Sequence, residues 1–143
     1  MSDYLFAHKG GCECGAVTFT YHSHQPLSAL TARACQCEFC LPRSATYLSE
    51  PDARLQVELK DRRYVYSHSF GTNTADFMHC AVCNNLVYVK SEIDGHDYAL
   101  VVVAALDESA QLAQPGPVDY EGEGVSDRLQ RRAERWIAQL DVS

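Results

Sequence analysis

Seven cysteines in three tight clusters are the feature of this 143-residue sequence that most restricts its fold. They form a C-x-C at Cys12 and Cys14, a C-x-C-x-x-C at Cys35, Cys37 and Cys40, and a C-x-x-C at Cys80 and Cys83. Cysteines that only fill core volume would not repeat such short spacings. Zinc takes four soft ligands in a tetrahedron, and two closely spaced cysteines can wrap a turn around one ion. The pattern therefore predicts zinc bound at turns that join distant parts of the chain.

The cysteine count favours metal binding over disulfides. Seven is an odd number, so complete internal pairing is impossible. The first ten residues, MSDYLFAHKG, lack the charged and apolar regions of a secretory signal. We therefore expect a reducing, cytoplasmic location, where clustered cysteines bind metal or take part in catalysis. Four and three are also the ligand numbers of one closed and one open zinc site.

The composition is that of an ordinary globular protein, and we expect a single domain over residues 1–143. Hydrophobic residues make up 46% of the chain and charged residues 22%. No apolar run approaches the length of a membrane-spanning helix, so no membrane partner is expected. The formal charge of −7 would repel phosphate backbones, so no nucleic-acid partner is expected either.

Short segments of alternating polarity dominate the sequence up to about Leu106. Five of them are typical of strands: Val17–Tyr21, Leu55–Leu59, Tyr64–Tyr66, Leu86–Val89 and His96–Ala104. Turn-forming residues separate them at Gly10-Gly11, Pro51-Asp52, Gly71-Thr72-Asn73, Asn84-Asn85 and Asp94-Gly95. Many short strands with frequent turns predict a mainly β fold.

The region 114–143 is predicted to be a loop followed by a C-terminal α-helix. Residues 114–124 contain two prolines and three glycines, which is typical of a loop. Ser126 is the predicted helix cap. An apolar stripe at helical spacing then predicts about four turns of amphipathic helix: Leu129, Ala133, Trp136, Ile137 and Leu140. Four arginines of this helix are interpreted as a solvated face: Arg128, Arg131, Arg132 and Arg135.

Two groupings of the cysteines are compatible with their spacing. In the first, Cys12, Cys14, Cys80 and Cys83 share one ion, and Cys35, Cys37 and Cys40 hold a second. In the second, Cys37, Cys40, Cys80 and Cys83 share an ion, and Cys12, Cys14 and Cys35 are left to another site or to none. The first keeps each cluster intact. Its group of three within six residues leaves one coordination position free.

The clusters resemble those of a known family. The segments GGCECGAV at 10–17, CQCEFC at 35–40 and CAVC at 80–83, in this order, are similar to the glutathione-dependent formaldehyde-activating enzyme family, which includes the centromere protein V-like proteins. The resemblance covers roughly residues 8 to 105. It implies an Mss4-like fold, a β-tent of short antiparallel sheets.

The resemblance also implies the first grouping and a reaction. Cys12, Cys14, Cys80 and Cys83 would hold a structural zinc, and Cys35, Cys37 and Cys40 a catalytic one, giving two ions per chain. The implied activity is that of a carbon–sulfur lyase resembling S-(hydroxymethyl)glutathione synthase. It adds the sulfur of glutathione to formaldehyde or another aldehyde. A zinc-stabilised binding module without catalysis, or a glutathione carrier, is the competing hypothesis.

The residues around the clusters depart from the family pattern. Asn84 follows the last cysteine where family members usually have glycine, and Glu38-Phe39 and Leu41-Pro42-Arg43 replace the usual residues in and after the second cluster. His68 and His79 are candidates for a proton carrier or a fourth metal ligand. Glu38 is a candidate base, and Arg33 and Arg43 are candidates for binding a substrate carboxylate. For each of them, an ordinary surface or hydrogen-bonded side chain is the competing interpretation.

Overall fold

Eleven strands and one α-helix form the fold within the part of the chain that the structure, a computed structural model, describes. The described residues are 4, 6–26, 30–35, 46–68, 75–107, 113–118 and 124–143. The elements are β1 (Phe6–Gly11), β2 (Val17–Ser23), β3 (Thr31–Cys35), β4 (Thr46–Leu48), β5 (Arg54–Leu59), β6 (Val65–His68), β7 (Asp76–Cys80), β8 (Leu86–Ile93), β9 (His96–Val102), β10 (Ala113–Val118), α1 (Val125–Arg135) and β11 (Gln139–Val142). Short 3-10 turns lie at Arg62–Tyr64 and Val103–Ala105.

The strands form two sheets. The small sheet has the order β1-β2-β5-β11, and the large sheet has the order β10-β3-β4-β9-β8-β7-β6. Neighbouring strands are antiparallel except at two edges, where β10 lies parallel to β3 and β11 parallel to β5. The prediction of a mainly β fold of short, largely antiparallel sheets with one helix is confirmed.

Alternating side chains explain the small sheet. Val17, Phe19 and Tyr21 of β2 are buried, and their partners on β5 are Leu59, Val57 and Leu55. The residues between them on β2 are only half-buried. Fully burying an aliphatic or aromatic side chain contributes about 1.5–3 kcal/mol, so this one-sided pattern fixes the register of the sheet.

The central strands of the large sheet are buried on both faces. Val87, Tyr88 and Val89 are consecutive in β8, and all three are almost inaccessible to solvent. In β9 the run 99–102 is also buried. A backbone bridge between Ala99 and Ile137 ties this sheet to the segment just before β11. The two sheets therefore share one hydrophobic core.

Three predicted turns are confirmed, including Asn84-Asn85 between β7 and β8, and one prediction is wrong. Asp94 and Gly95 both have positive φ, 53° and 80°, which suits the two-residue hairpin between β8 and β9. Pro51-Asp52 also forms a turn. Gly10-Gly11, however, lies inside β1. A Cβ atom on Gly10 would lie 2.2 Å from the carbonyl oxygen of Ala105, so this glycine serves a close backbone approach. The predicted turn at 71–73 falls outside the described residues.

The C-terminal segment differs from its prediction. The helix begins after Gly124, so Ser126 is not its cap, and it ends at Arg135, about one turn early. Beyond it, Ile137 bridges to Ala99, and β11 pairs along β5. Strand β10 occupies part of the predicted loop. Backbone hydrogen bonds to a sheet edge thus outweigh the local helical pattern after residue 135.

One arginine of the helix is not solvated, contrary to the prediction. Only 6% of Arg132 is exposed. Its Nη1 donates to Oγ of Ser91 at 3.2 Å, and its Cζ lies 5.0 Å from the ring centroid of Trp136. Arg132 therefore helps to dock α1 on β8. The helix is too short and too polar to cross a membrane, and no other helix of the described residues is longer.

Candidate metal centre

Four sulfur atoms from two distant turns lie together at one edge of the two sheets. The Sγ atoms of Cys12, Cys14, Cys80 and Cys83 all lie within 4.8 Å of one another. Sγ of Cys14 is 3.5 Å from Sγ of Cys12 and 3.5 Å from Sγ of Cys80. Sulfurs around a tetrahedral zinc ion at about 2.3 Å would lie about 3.8 Å apart. The group therefore has the donor chemistry and nearly the dimensions of a closed four-thiolate metal site.

The first turn connects β1 to β2 and presents Cys12 and Cys14. The N–H of Gly15 donates to the carbonyl oxygen of Cys12 at 3.2 Å, and Gly15 has φ 78°. This confirms the sequence-based expectation that glycine supplies positive φ after the pair. The N–H of Val17 donates to Sγ of Cys12 at 3.3 Å. Such a bond favours the thiolate form that a metal ion requires.

The second turn connects β7 to β8 and presents Cys80 and Cys83. The N–H of Asn84 donates to the carbonyl oxygen of Cys80 at 2.8 Å, and the N–H of Val82 donates to Sγ of Cys80 at 3.4 Å. Asn84 has φ 64°, which confirms the expected left-handed conformation after this pair. The two turns thus have the same design, a tight backbone loop with an N–H directed at the first sulfur.

The four sulfurs span a gradient of burial. Cys80 is inaccessible and Cys12 is 8% exposed, whereas Cys83 is half-buried and Cys14 is exposed. The cluster therefore sits at the margin of the core. A metal ion held there would be reached by solvent from the side of Cys14.

The four thiols cannot all ionise on their own. Backbone N–H bonds from Cys14 and Asn85, with the neighbouring thiols, lower the pKa of Cys83 to about 6. The N–H of Ala16 acts to lower the pKa of Cys14, but desolvation of its sulfur and hydrogen bonding with the other three cysteines raise it to about 12. Despite desolvation, the pKa of Cys12 is also lowered, by the bond from the N–H of Val17 and by the neighbouring thiols, so ionisation is favoured at Cys83 and Cys12 and resisted at Cys14. A divalent cation would remove that conflict, since it is attracted to every thiolate.

The structure describes only some of the other predicted site residues. Cys37, Glu38, Cys40 and Arg43 lie outside the described residues. Arg33 and Cys35 are described by their backbone, which belongs to β3, and Cys35 pairs with Val118 of β10.

The two candidate histidines lie on neighbouring strands near the second turn. His79 of β7 is half-buried, and its Nδ1 donates to the carbonyl oxygen of Phe77 at 3.0 Å. His68 is exposed on β6, opposite Phe77. Neither belongs to the four-sulfur group.

Sequence reasoning missed one residue at this edge, Tyr66. Its hydroxyl donates to Oδ1 of Asn84, and its ring stacks on His79 with centroids 5.1 Å apart. The pairing of β6 with β7, which places Tyr66 opposite His79, is what brings it to the turn. The alternation around Tyr66 indicated a strand but gave no sign of its register.

Comparison with known proteins agrees with this architecture. A crystal structure of a Rhodobacter sphaeroides protein matches 77% of this chain and 99% of its own, with 25% sequence identity and a TM-score of 0.56. The small β-rich, Mss4-like fold expected from the cysteine motifs is thereby confirmed. The sequence matches the family described as glutathione-dependent formaldehyde-activating enzyme over residues 7–120, most of its length. The match includes all seven cysteines, and the chain belongs to this family.

Proposed function

We propose that this protein is a zinc-dependent carbon–sulfur lyase-type enzyme. It would activate a thiol such as glutathione for reversible addition to formaldehyde or another aldehyde. The observation that carries the proposal is the family match over residues 7–120, and the four-sulfur group adds a metal-binding chemistry consistent with it. In the forward direction the thiol loses its proton and its sulfur forms a bond to the carbonyl carbon. The carbonyl oxygen takes up a proton, giving an S-hydroxymethyl adduct.

The two sets of cysteines would have different tasks. Cys12, Cys14, Cys80 and Cys83 would hold a structural zinc, since four protein sulfurs leave no open position. Cys35, Cys37 and Cys40 would hold the catalytic zinc, whose charge keeps a bound thiol deprotonated at neutral pH.

The strand order of the large sheet supports the proposal of two separate sites. Cys35 ends β3 and Cys80 ends β7, and the alternation of antiparallel strands between them makes β3 and β7 run in the same direction. Both cysteines therefore lie at the same end of the sheet. Four strand spacings separate them in the sheet order, about 19 Å measured along the sheet. Because Sγ of Cys14 lies 3.5 Å from Sγ of Cys80, this separation favours a second ion at Cys35 over one ion shared by Cys12, Cys14 and Cys35.

The environment implied by the reaction is reducing. Free thiols and the thiol substrate persist in the cytoplasm, where disulfides are rare. The partners would be small molecules, a thiol and an aldehyde, and the charge of −7 makes nucleic acid an unsuitable ligand.

The test combines metal analysis, binding and turnover. Elemental analysis of purified protein should give two zinc ions per chain. Calorimetry should then detect glutathione binding at millimolar concentration, and exchange NMR should show faster formation of the formaldehyde adduct than in buffer. The variant Cys37→Ser should lose the acceleration while keeping one zinc.

Two results would contradict the proposal in different ways. Absence of glutathione binding to the fully loaded protein would remove the proposed substrate class. Binding without any acceleration would instead indicate a carrier, the competing hypothesis set out from the sequence.

A further inference from the structure

The residue after the last cysteine adopts a backbone conformation that most side chains disfavour. Asn84 has φ 64°, and its N–H closes the turn on the carbonyl oxygen of Cys80. Glycine would adopt this conformation without a steric cost. The chain instead carries a side chain here, and Asn84 is exposed, so core packing does not account for it.

That side chain has a specific partner on another strand. The hydroxyl of Tyr66, in β6, donates to Oδ1 of Asn84. The ring of Tyr66 lies nearly parallel to that of His79, with an interplanar angle of 11°. His79 is itself oriented by its bond to the carbonyl oxygen of Phe77. Stacking on His79 therefore fixes the orientation of Tyr66 while its hydroxyl binds Asn84 in the turn.

The same region of the chain holds the turn at a second point. The N–H of Ala81 donates to the carbonyl oxygen of Tyr64 at 2.7 Å. The segment 80–84 is therefore attached to residues 64–66 at both its ends, once through backbone and once through the two side chains. Only the second attachment depends on residue type.

We propose that Tyr66 and Asn84 are positioning residues that slow the release of a metal ion from the four-sulfur group. The proposal rests on the metal occupancy put forward under the proposed function. Cys80 is fully buried, whereas Cys83 is half-buried and directly precedes Asn84. When Cys83 moves away from the metal ion, Asn84 moves with it and the hydrogen bond between Asn84 and Tyr66 breaks. That bond therefore opposes the opening of the site.

The first experiment measures transfer of zinc to an excess of a chromophoric chelator from the loaded full-length protein. A neutral hydrogen bond contributes enough to change such a rate about fivefold, so Tyr66→Phe should release zinc about fivefold faster than wild type. Tyr64→Phe is the matched control. It removes a hydroxyl of similar exposure two residues away and keeps the carbonyl that binds Ala81, so its rate should equal that of wild type.

A double-mutant cycle separates this bond from general loosening of the turn. Asn84→Gly keeps the left-handed backbone and removes the acceptor, so it should also speed release. The combined variant should be no faster than the faster of the two single variants, because each removes the same interaction. If the rate increases of the two single variants multiply in the combined variant, the two residues act independently and the proposal is wrong.

Cobalt substitution checks that the variants still bind metal through four sulfurs. The thiolate-to-cobalt charge-transfer absorbance of Tyr66→Phe should match that of wild type while its rate of cobalt loss is higher. If wild type takes up neither zinc nor cobalt, the metal site and the positioning role both fail. If wild type binds metal and Tyr66→Phe releases it at the wild-type rate, the positioning role alone is wrong.

Discussion

Sγ of Cys14 lies 3.5 Å from Sγ of Cys80, although 66 positions of the sequence separate the two residues. Cys14 belongs to the turn between β1 and β2 of the small sheet, and Cys80 ends β7 of the large sheet. A metal ion bound by both would cross-link the two sheets at their edge. The four-sulfur group is therefore placed to stabilise the whole fold as well as the two turns.

Removal of the metal should lower the stability of the protein. At a free zinc concentration about 1,000 times the dissociation constant, binding contributes about 4 kcal/mol, which for a chain of this size corresponds to a thermal midpoint about 10 °C higher. Calorimetry of loaded protein with and without a strong chelator checks this. In Cys80→Ser the chelator should have a much smaller effect. Equal midpoints for wild type in both conditions would be incompatible with a metal-stabilised cluster.

Cys83 should be the most reactive of the four thiols in metal-free protein. Its pKa is lowered to about 6, whereas that of Cys14 is raised to about 12, and only the thiolate attacks an alkylating agent. The labelling rate of Cys83 should rise with pH and reach half its maximum near pH 6. Iodoacetamide labelling followed by mass spectrometry reports each site.

Exposure alone predicts the opposite order, which makes the labelling test discriminating. Cys14 is the exposed member of the group and Cys83 is only half-buried. Labelling of Cys14 before Cys83 at pH 7 would show that access outweighs ionisation here. Zinc-loaded protein is the control, and all four sites should be protected in it.

Arg132→Ala should destabilise the protein by about 3 kcal/mol. The change removes a buried side chain, its bond to Ser91 and its contact with the ring of Trp136. Arg135→Ala is the matched control, because Arg135 is exposed on the same helix and its loss should change the free energy of unfolding by less than about 0.5 kcal/mol. Urea unfolding of both variants measures the difference, and equal effects would mean that the burial of Arg132 contributes little.

Gly10→Ala should cost about 2–3 kcal/mol, as expected when an atom is forced into a filled space. The new Cβ would lie 2.2 Å from the carbonyl oxygen of Ala105 and 2.6 Å from Cζ of Phe19. Gly124→Ser is the control, because a Cβ there meets no atom within 4 Å and serine is a good helix cap. Thermal unfolding compares the two. A wild-type midpoint for Gly10→Ala would show that the 3-10 turn at 103–105 can move away.

The sequence predicted the strands whose burial follows a simple pattern. Strands β2 and β5 alternate strictly because one face of the small sheet is buried. The C-terminal segment was not predictable in this way. Ile137 and Leu140 stand at helical spacing, yet Ile137 bridges to Ala99 of β9 and Leu140 pairs with Leu55 of β5, contacts that no local pattern contains. The same limit applies to Gly10. A side chain there would clash with Ala105, which lies 95 positions away in the sequence.

The candidate site also has features that the sequence predicts and features that it does not. The positive φ of Gly15 and of Asn84 followed from residue type and from the position of each after a cysteine pair. Which pairs meet did not follow from spacing, because the long segment between Cys14 and Cys80 leaves their approach undetermined. The family resemblance supplied that grouping. Neither the cysteine spacing nor the family resemblance could identify Tyr66, since its role depends on the register of β6 against β7.

The parallel pairing of β11 with β5 has a consequence for the growing chain on the ribosome. Residues 54–59 emerge long before residues 139–142, which cover one of their edges. Until then β5 can pair with β2 on one side, while the N–H and carbonyl groups of its other edge are free to pair with an exposed strand of another chain. Pairings between segments so far apart also form slowly. Nascent chains stalled before residue 139 should therefore associate with holding chaperones far more than chains stalled after it.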